Sequence, residues 1–153
     1  MQESEKLDNQ QAIRDLGWLA GILDGEGSIV LGTFKRKEGY LQTYHDVRFY
    51  NSDEEVINKV VKILDMNGIK SFTSSRLQYG NLGDRQGFTV AVSNNASVVK
   101  LLEAVKEDLT CKKARAELVL RFCKLRLEHK NRPNTDEENN ILEYWKENIQ
   151  TKS

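Results

Sequence analysis

The chain of 153 residues splits its charge evenly, 23 Lys and Arg against 23 Asp and Glu, with 39% hydrophobic residues and a single proline. That length and apolar share predict one domain, spanning 1–153, able to bury a real core, while the even balance argues against a uniformly basic phosphate-binding surface. No apolar run approaches a membrane span, and Met1-Gln2-Glu3-Ser4-Glu5 is too acidic for a signal or transit peptide, so the expectation is an intracellular protein.

The charge is nevertheless segregated. Residues 111–130 carry seven basic and two acidic groups and residues 28–50 four and two, whereas the first 27 residues hold two against six and the tail from 131 three against five. Taken singly, many of these basic residues read equally well as a solvated helix face. Cys111 and Cys123 have no metal-ligand partners at useful spacing and read as reduced packing residues.

Residues 1–10 are polar and expected to fray. Gln11–Asp24 has helical spacing in Ile13, Leu16, Leu19, Ile22 and Leu23, with Trp18 expected to pack on a sheet. Gly17, Gly21 and Gly25 recur every four residues and so share one helical face, bare enough for another backbone to come close. A core-facing stripe would carry large apolar side chains instead. Asp24-Gly25-Glu26-Gly27 then predicts a stop in a left-handed turn, with Glu26 projecting just beyond it.

Two such helices side by side through the glycine face would bring two Glu26 carboxylates together. Like charges held close call for a cation between them, and Mg²⁺ binds through one or two carboxylates plus phosphate and water. A paired site of that kind suits phosphodiester cleavage. The plain alternative is a helix with a glycine-rich C-cap. An EF-hand loop beginning at Asp24 fails, because its sixth position is Ile29 and its twelfth Lys35.

Downstream, Ser28–Arg36 and Gln42–Tyr50 read as strands joined by a turn at Lys37-Glu38-Gly39. Period-two alternation puts Val47 and Phe49 on one face and Gln42, Tyr44, Asp46 and Arg48 on the other, a long-armed polar face suited to a DNA major groove. The solvent face of any antiparallel sheet looks similar. His45, with no second histidine or cysteine nearby, reads as a packing or sheet-face residue. Ser52-Asp53-Glu54-Glu55 reads as a capping box opening a helix to about Met66, with Val56, Val60, Ile63 and Leu64 inward and Asn67-Gly68 ending it.

A strand near 70–79, with Arg76 and Gln78 sharing a face, precedes a loop at 80–87. Residues 88–92 return with Phe88, Val90 and Val92 inward and Thr89 and Ala91 outward. Helices follow over about 95–107 and 112–129, the latter with Ala116, Val119, Leu120, Cys123 and Leu127 as its apolar positions. Arg132-Pro133-Asn134 breaks the chain, and the capping box Thr135-Asp136-Glu137-Glu138 starts a last helix over 135–150.

At Leu19–Gly27 the chain resembles the LAGLIDADG homing endonuclease family. The nine-residue motif is matched at Leu19, Ala20, Gly21, Asp24 and Gly27, with Ile22 and Leu23 as apolar equivalents, Gly25 for the usual small residue and Glu26 for an acid. The resemblance implies an α+β fold of order αββαββα, with a saddle-shaped antiparallel sheet and extra C-terminal helices. Nearly the whole chain follows that order. One motif copy is present, and single-copy members are homodimers, so the resemblance implies a two-fold dimer with Gly17, Ala20, Gly21 and Asp24 at its seam, reading a pseudo-palindromic double-stranded DNA site.

It also implies Mg²⁺, or another divalent cation such as Mn²⁺, on Glu26 and the Gly25 carbonyl; Asp24 either orients the helix end, the favoured role, or adds charge to the metal site. Asn51 would hold a water and Lys112 would stabilise charge on the scissile phosphate, while Glu55 departs from relatives with a basic residue there. DNA reading would rest on Arg36, Gln42, Tyr44, Arg48, Arg76, Gln78 and Thr89, with Lys35 and Lys37 nearer phosphates. The implied activity is metal-dependent cleavage leaving a staggered double-strand break. Alternatives on the same fold are an RNA-binding maturase, with intron RNA as partner, and a DNA-binding protein that does not cut.

Overall fold

Which faces are apolar decides how this chain folds, and the computed structural model shows them paired off. It describes residues 2–78, 83 and 85–150, with the side chains of Gln78 and Arg85 outside the description. Helix α1 (Glu3–Glu26) leads into strands β1 (Gly27–Lys35) and β2 (Leu41–Asn51), then helix α2 (Glu54–Met66) and strands β3 (Phe72–Gln78) and β4 (Arg85–Val92). Helix α3 (Asn95–Val105), a 3₁₀ turn at Lys106–Asp108, and helices α4 (Lys113–Glu128) and α5 (Asp136–Asn148) complete the αββαββα order with two further helices.

The four strands form one antiparallel sheet in the order β1-β2-β4-β3. The β1–β2 ladder runs from Gly27 opposite Phe49 to Lys35 opposite Leu41, and the β3–β4 ladder from Phe72 opposite Ala91 to Gln78 opposite Arg85. Only Val47–Asn51 and Phe88–Val92 join the two hairpins. Because side chains alternate, Ile29, Leu31, Val47, Phe49, Val90 and Val92 all fall on one face, and all are buried. Against that face lie the buried residues of the helices, among them Leu19 and Leu23, Val60 and Leu64, Leu101 and Leu102, and Val119 and Phe122. Among the described residues, no helix is long and apolar enough to cross a membrane.

Several expectations are corrected. Helix α1 starts at Glu3, not near Gln11, although residues 2–14 are all exposed and Ile13 is 70% exposed instead of core-facing. Trp18 is half-buried with the Lys59 ammonium of α2 4.3 Å from its ring centroid, so it serves the helix–helix side. Asp53, not Ser52, caps α2 by accepting from the Glu55 N–H at 2.9 Å, and Ile57 is buried on that helix where Val56 was expected. Strand β4 begins at Arg85, within the expected loop; of that loop, 80–82 and 84 lie outside the described residues. On α4, Phe122 and Leu125 are buried and Leu127 is 39% exposed.

The capping box at α5 is present, with the Thr135 hydroxyl accepting from the Glu138 N–H and the Glu138 carboxylate accepting from the Thr135 N–H. Glu138 is also fully buried, and Arg126 satisfies it with an ion pair at 3.1 Å while donating to Asn134 Oδ1 and the carbonyls of His129 and Arg132. One guanidinium therefore fixes the whole turn between α4 and α5. Cys123 is buried, which pushes its thiol up to about 12, and packs as expected. His45 packs inward near Phe122, where burial holds its imidazole below its ordinary value despite the nearby Asp46 carboxylate.

Candidate functional site

The end of α1 is where the sequence-predicted chemistry gathers. The helix does not stop in a left-handed turn: Glu26 is its last residue, and Gly27 is already extended at φ −100°, ψ 178°. Glycine is needed at 27 for a different reason. A Cβ there would lie 2.8 Å from the Arg48 carbonyl oxygen and 2.9 Å from that of Leu23, so only a bare backbone lets the helix pass directly into β1.

Two side chains approach this helix end from opposite parts of the chain. The Asn51 amide, at the end of β2, donates to Glu26 Oε2, while its own Oδ1 accepts from the Asp53 N–H at 2.8 Å. That second bond ties Asn51 to the capped start of α2 and sets which way its amide points. From the other side, Lys112 donates its ammonium to the Asp24 carbonyl. Asp24 accepts from the main-chain N–H groups of Thr110 at 2.6 Å and Lys112 at 3.0 Å, and the exposed Cys111 thiol donates to it at 3.4 Å. Cys111 is thus a surface group at this junction, not the packing residue its spacing suggested.

Burial alone would raise the Asp24 carboxyl, but the N–H groups of Thr110 and Lys112, the Cys111 thiol and the Lys112 charge outweigh it and hold it below its ordinary value. Its carboxylate faces the start of α4, where the unpaired N–H groups and the helix dipole favour negative charge. Asp24, Glu26, Asn51 and Lys112 are therefore brought to one helix end, with Asp24 spent on docking α1 to α4 and Glu26 exposed. Glu55, also exposed, sits in the first turn of α2.

No group of three or more His, Cys, Asp or Glu side chains that could hold a metal ion occurs among the described residues. A site closed by one chain alone is not built here. What one chain offers is a single carboxylate beside main-chain carbonyls, all hard oxygen donors, and this fits a cation such as Mg²⁺ that keeps waters and takes other ligands from phosphate.

The glycine face stands open. Nothing lies within 4 Å of a Cβ added at Gly17, Gly21 or Gly25, and all three are exposed. Ala20 has to be removed from the expected seam: it is fully buried in this chain's own core, about a quarter-turn from Gly21.

On the sheet, the face opposite the core carries the expected long-armed residues. Register puts Gln42, Tyr44 and Arg48 of β2, Thr89 of β4 and Arg76 of β3 on that one face. Arg48 is paired with Asp46 at 3.0 Å; Arg36 donates to Gln42 and lies over the Phe34 ring. Lys35 has the opposite parity, opposite Leu41, and Lys37 sits in the turn, so neither belongs to the same row. Gln78 keeps the register, but its side chain lies outside the described residues. Sequence reading overlooked Tyr50, which the same alternation places on this face next to Arg48.

The basic surplus of α4 is mostly answered locally. Lys113 pairs with Glu107, Arg121 with Glu137, Lys124 with Glu103 and Arg126 with Glu138, and Lys112 is engaged at Asp24. The exposed pairs among these, all but Arg126–Glu138, add little stability, but together the pairs remove this helix as an unopposed phosphate-binding stripe.

Comparison with known proteins agrees with this geometry. A family model described as a LAGLIDADG-like domain matches residues 14–106, more than half of the chain. No curated protein sequence matches. Among solved structures, the archaeal intron-encoded homing endonuclease I-Vdi141I complexed with DNA superposes with a TM-score of 0.61 at 13% identity, over 87% of this chain and 97% of that one. The homing endonuclease I-CvuI, in complex with the I-CreI target, gives 0.57 at 19% identity over 90% and 96%. The LAGLIDADG homing endonuclease I-SmaMI, bound to cleaved DNA, gives 0.60 at 16% identity over 88% of this chain but 43% of that longer one. With its helix end, its sheet and the matched residues all in agreement, the chain belongs to the LAGLIDADG-like domain family.

Proposed function

We propose that this protein is a site-specific DNA endonuclease acting as a homodimer, which makes a staggered double-strand break in a long pseudo-palindromic duplex by metal-dependent phosphodiester hydrolysis. The observation that carries this reading is the convergence of Glu26, Asn51 and Lys112 on the end of a helix whose glycine face is uncovered. Solved relatives of the fold are described in complex with DNA, some with Mg²⁺ or Ca²⁺.

Two copies joined through Gly17, Gly21 and Gly25 would set one Glu26 from each beside the other and complete a cation site that neither chain builds alone. The cation would be held by Glu26 and the Gly25 carbonyl, and when bound it supplies charge stabilisation to the scissile phosphate. Asn51, oriented by Asp53, holds Glu26 in place and keeps the attacking water near the phosphate. Lys112 places a positive charge where the phosphate gains negative charge, and Asp24 holds Lys112 there. Arg36, Gln42, Tyr44, Arg48, Arg76, Gln78 and Thr89 read the duplex from the outer sheet face, with Lys35 and Lys37 toward phosphates.

The test is to incubate the protein and Mg²⁺ with duplex DNA carrying the intronless insertion site, and to repeat with Glu26→Gln. Cleavage by the wild type with binding but no cleavage by the variant is expected. Binding to intron RNA with no cut in any DNA would replace this reading with a maturase.

A further inference from the structure

Two tyrosines on the outer sheet face lie flat over glycines of neighbouring strands. Tyr44 is directly opposite Gly32, and a Cβ on Gly32 would fall 2.5 Å from its hydroxyl oxygen. Tyr50 is opposite Thr89, and its ring reaches diagonally to Gly87, where a Cβ would fall 2.5 Å from its hydroxyl oxygen and 2.6 Å from Cε2. Diagonal cross-strand neighbours are within reach of aromatic side chains, and a missing Cβ gives the ring a flat seat. Among the described residues, neither hydroxyl has a hydrogen-bond partner. Each phenol thus stands exposed over a glycine with its donor and acceptor unspent.

We propose that Tyr50, seated on Gly87, is a specificity-determining contact to base edges near the centre of the DNA site, and that Gly87 is its positioning residue. The inference rests on the DNA-cleavage reading. Tyr50 directly precedes Asn51, whose amide donates to Glu26, so it stands beside the cleavage chemistry. Tyr44 lies six residues back toward the β1–β2 turn, about 20 Å away at strand spacing, or about six base pairs at the rise of duplex DNA. A phenol with only two side-chain torsions loses little freedom on binding and can discriminate between donor and acceptor patterns in the groove.

The experiment recovers bound sequences from a randomised duplex pool in Ca²⁺ for the wild type, Tyr50→Phe, Tyr44→Phe, Tyr50→Ala, Gly87→Ala and the double variant Tyr50→Ala/Gly87→Ala. Tyr50→Phe should lower base preference about tenfold at positions flanking the centre of a symmetric motif and leave the outer positions intact. Tyr44→Phe should do so about six base pairs further out. Gly87→Ala, whose methyl displaces the ring, should flatten the same inner positions as Tyr50→Ala and add nothing to it in the double variant. An unchanged motif for Tyr50→Phe, or a further change on adding Gly87→Ala to Tyr50→Ala, overturns the proposal. A wild type that selects no motif overturns the functional reading itself, a distinguishable result.

Discussion

Replacing Asp24 probes the junction that holds the site together. Asp24→Ala removes the acceptor for two main-chain N–H groups, Thr110 and Lys112, and the negative charge at the start of α4. Bonds to a charged acceptor contribute ~1.5–3 kcal/mol each, but these donors regain water at a half-exposed site, so the net loss should be about 2 kcal/mol. Asp24→Asn keeps one acceptor oxygen without the charge and should lose about half of that, ~1 kcal/mol. Urea unfolding at pH 7 reads both values, with a fall in Tm of about 4–8 °C for the alanine variant.

The pH dependence gives an independent check. The Asp24 carboxyl is held below its ordinary value by the Thr110 and Lys112 N–H groups, so its contribution is fully present above the ordinary carboxylate range and is lost as pH falls through the lower, folded value. The stability gap between wild type and Asp24→Ala should therefore be constant from pH 7 to 5 and close on further acidification. A gap below ~0.3 kcal/mol at neutral pH, or one that does not narrow in acid, refutes the junction argument. Cleavage should fall with Asp24→Asn while DNA binding is kept, since the variant loosens Lys112 and leaves the outer sheet face untouched.

Arg126→Met strands the buried Glu138 without a counter-charge and should cost about 3–4 kcal/mol by urea unfolding, most of it recovered when Glu138→Leu is added; a single-variant loss under ~1 kcal/mol contradicts this. Gly27→Ala drives a methyl into two carbonyl oxygens and should lose ~1–3 kcal/mol by the same measurement, whereas an unchanged midpoint would mean that the helix–strand junction has slack. Gly21→Leu meets nothing within the subunit, so it should leave unfolding of the separated chain unaffected while weakening self-association at least about tenfold in sedimentation equilibrium. Undiminished dimer with Gly21→Leu excludes the glycine seam.

Much of the architecture follows from two periodicities that can be read directly. Alternation sorted Val47 and Phe49 from Tyr44 and Arg48, and the order of helices and hairpins matched the family pattern from end to end. Elements whose reasons are not local were harder to see. The first three turns of α1 carry no buried residue, so no apolar pattern announced them. Ala20 and Gly21 are adjacent letters of one motif, yet one is core and the other open, because helical phase separates them. Asp24 reads from the sequence as a residue that orients the helix end, but the partners through which it does so, at 110–112, are 86 to 88 residues away. The basic run of α4 appeared free because its acids come from Glu103, Glu107, Glu137 and Glu138, scattered over other segments. Tyr50 could have been found by carrying the alternation two residues past Arg48.

The sheet joins its two hairpins along only five rungs, with β1–β2 extending beyond the join at one end and β3–β4 at the other. Each overhang is braced mainly by its own partner strand. A sequence change near Gly32 and Tyr44 is therefore mechanically insulated from one near Arg76 and Gly87, and effects at such distant positions combine additively. New recognition can be acquired one end at a time, without retuning the other.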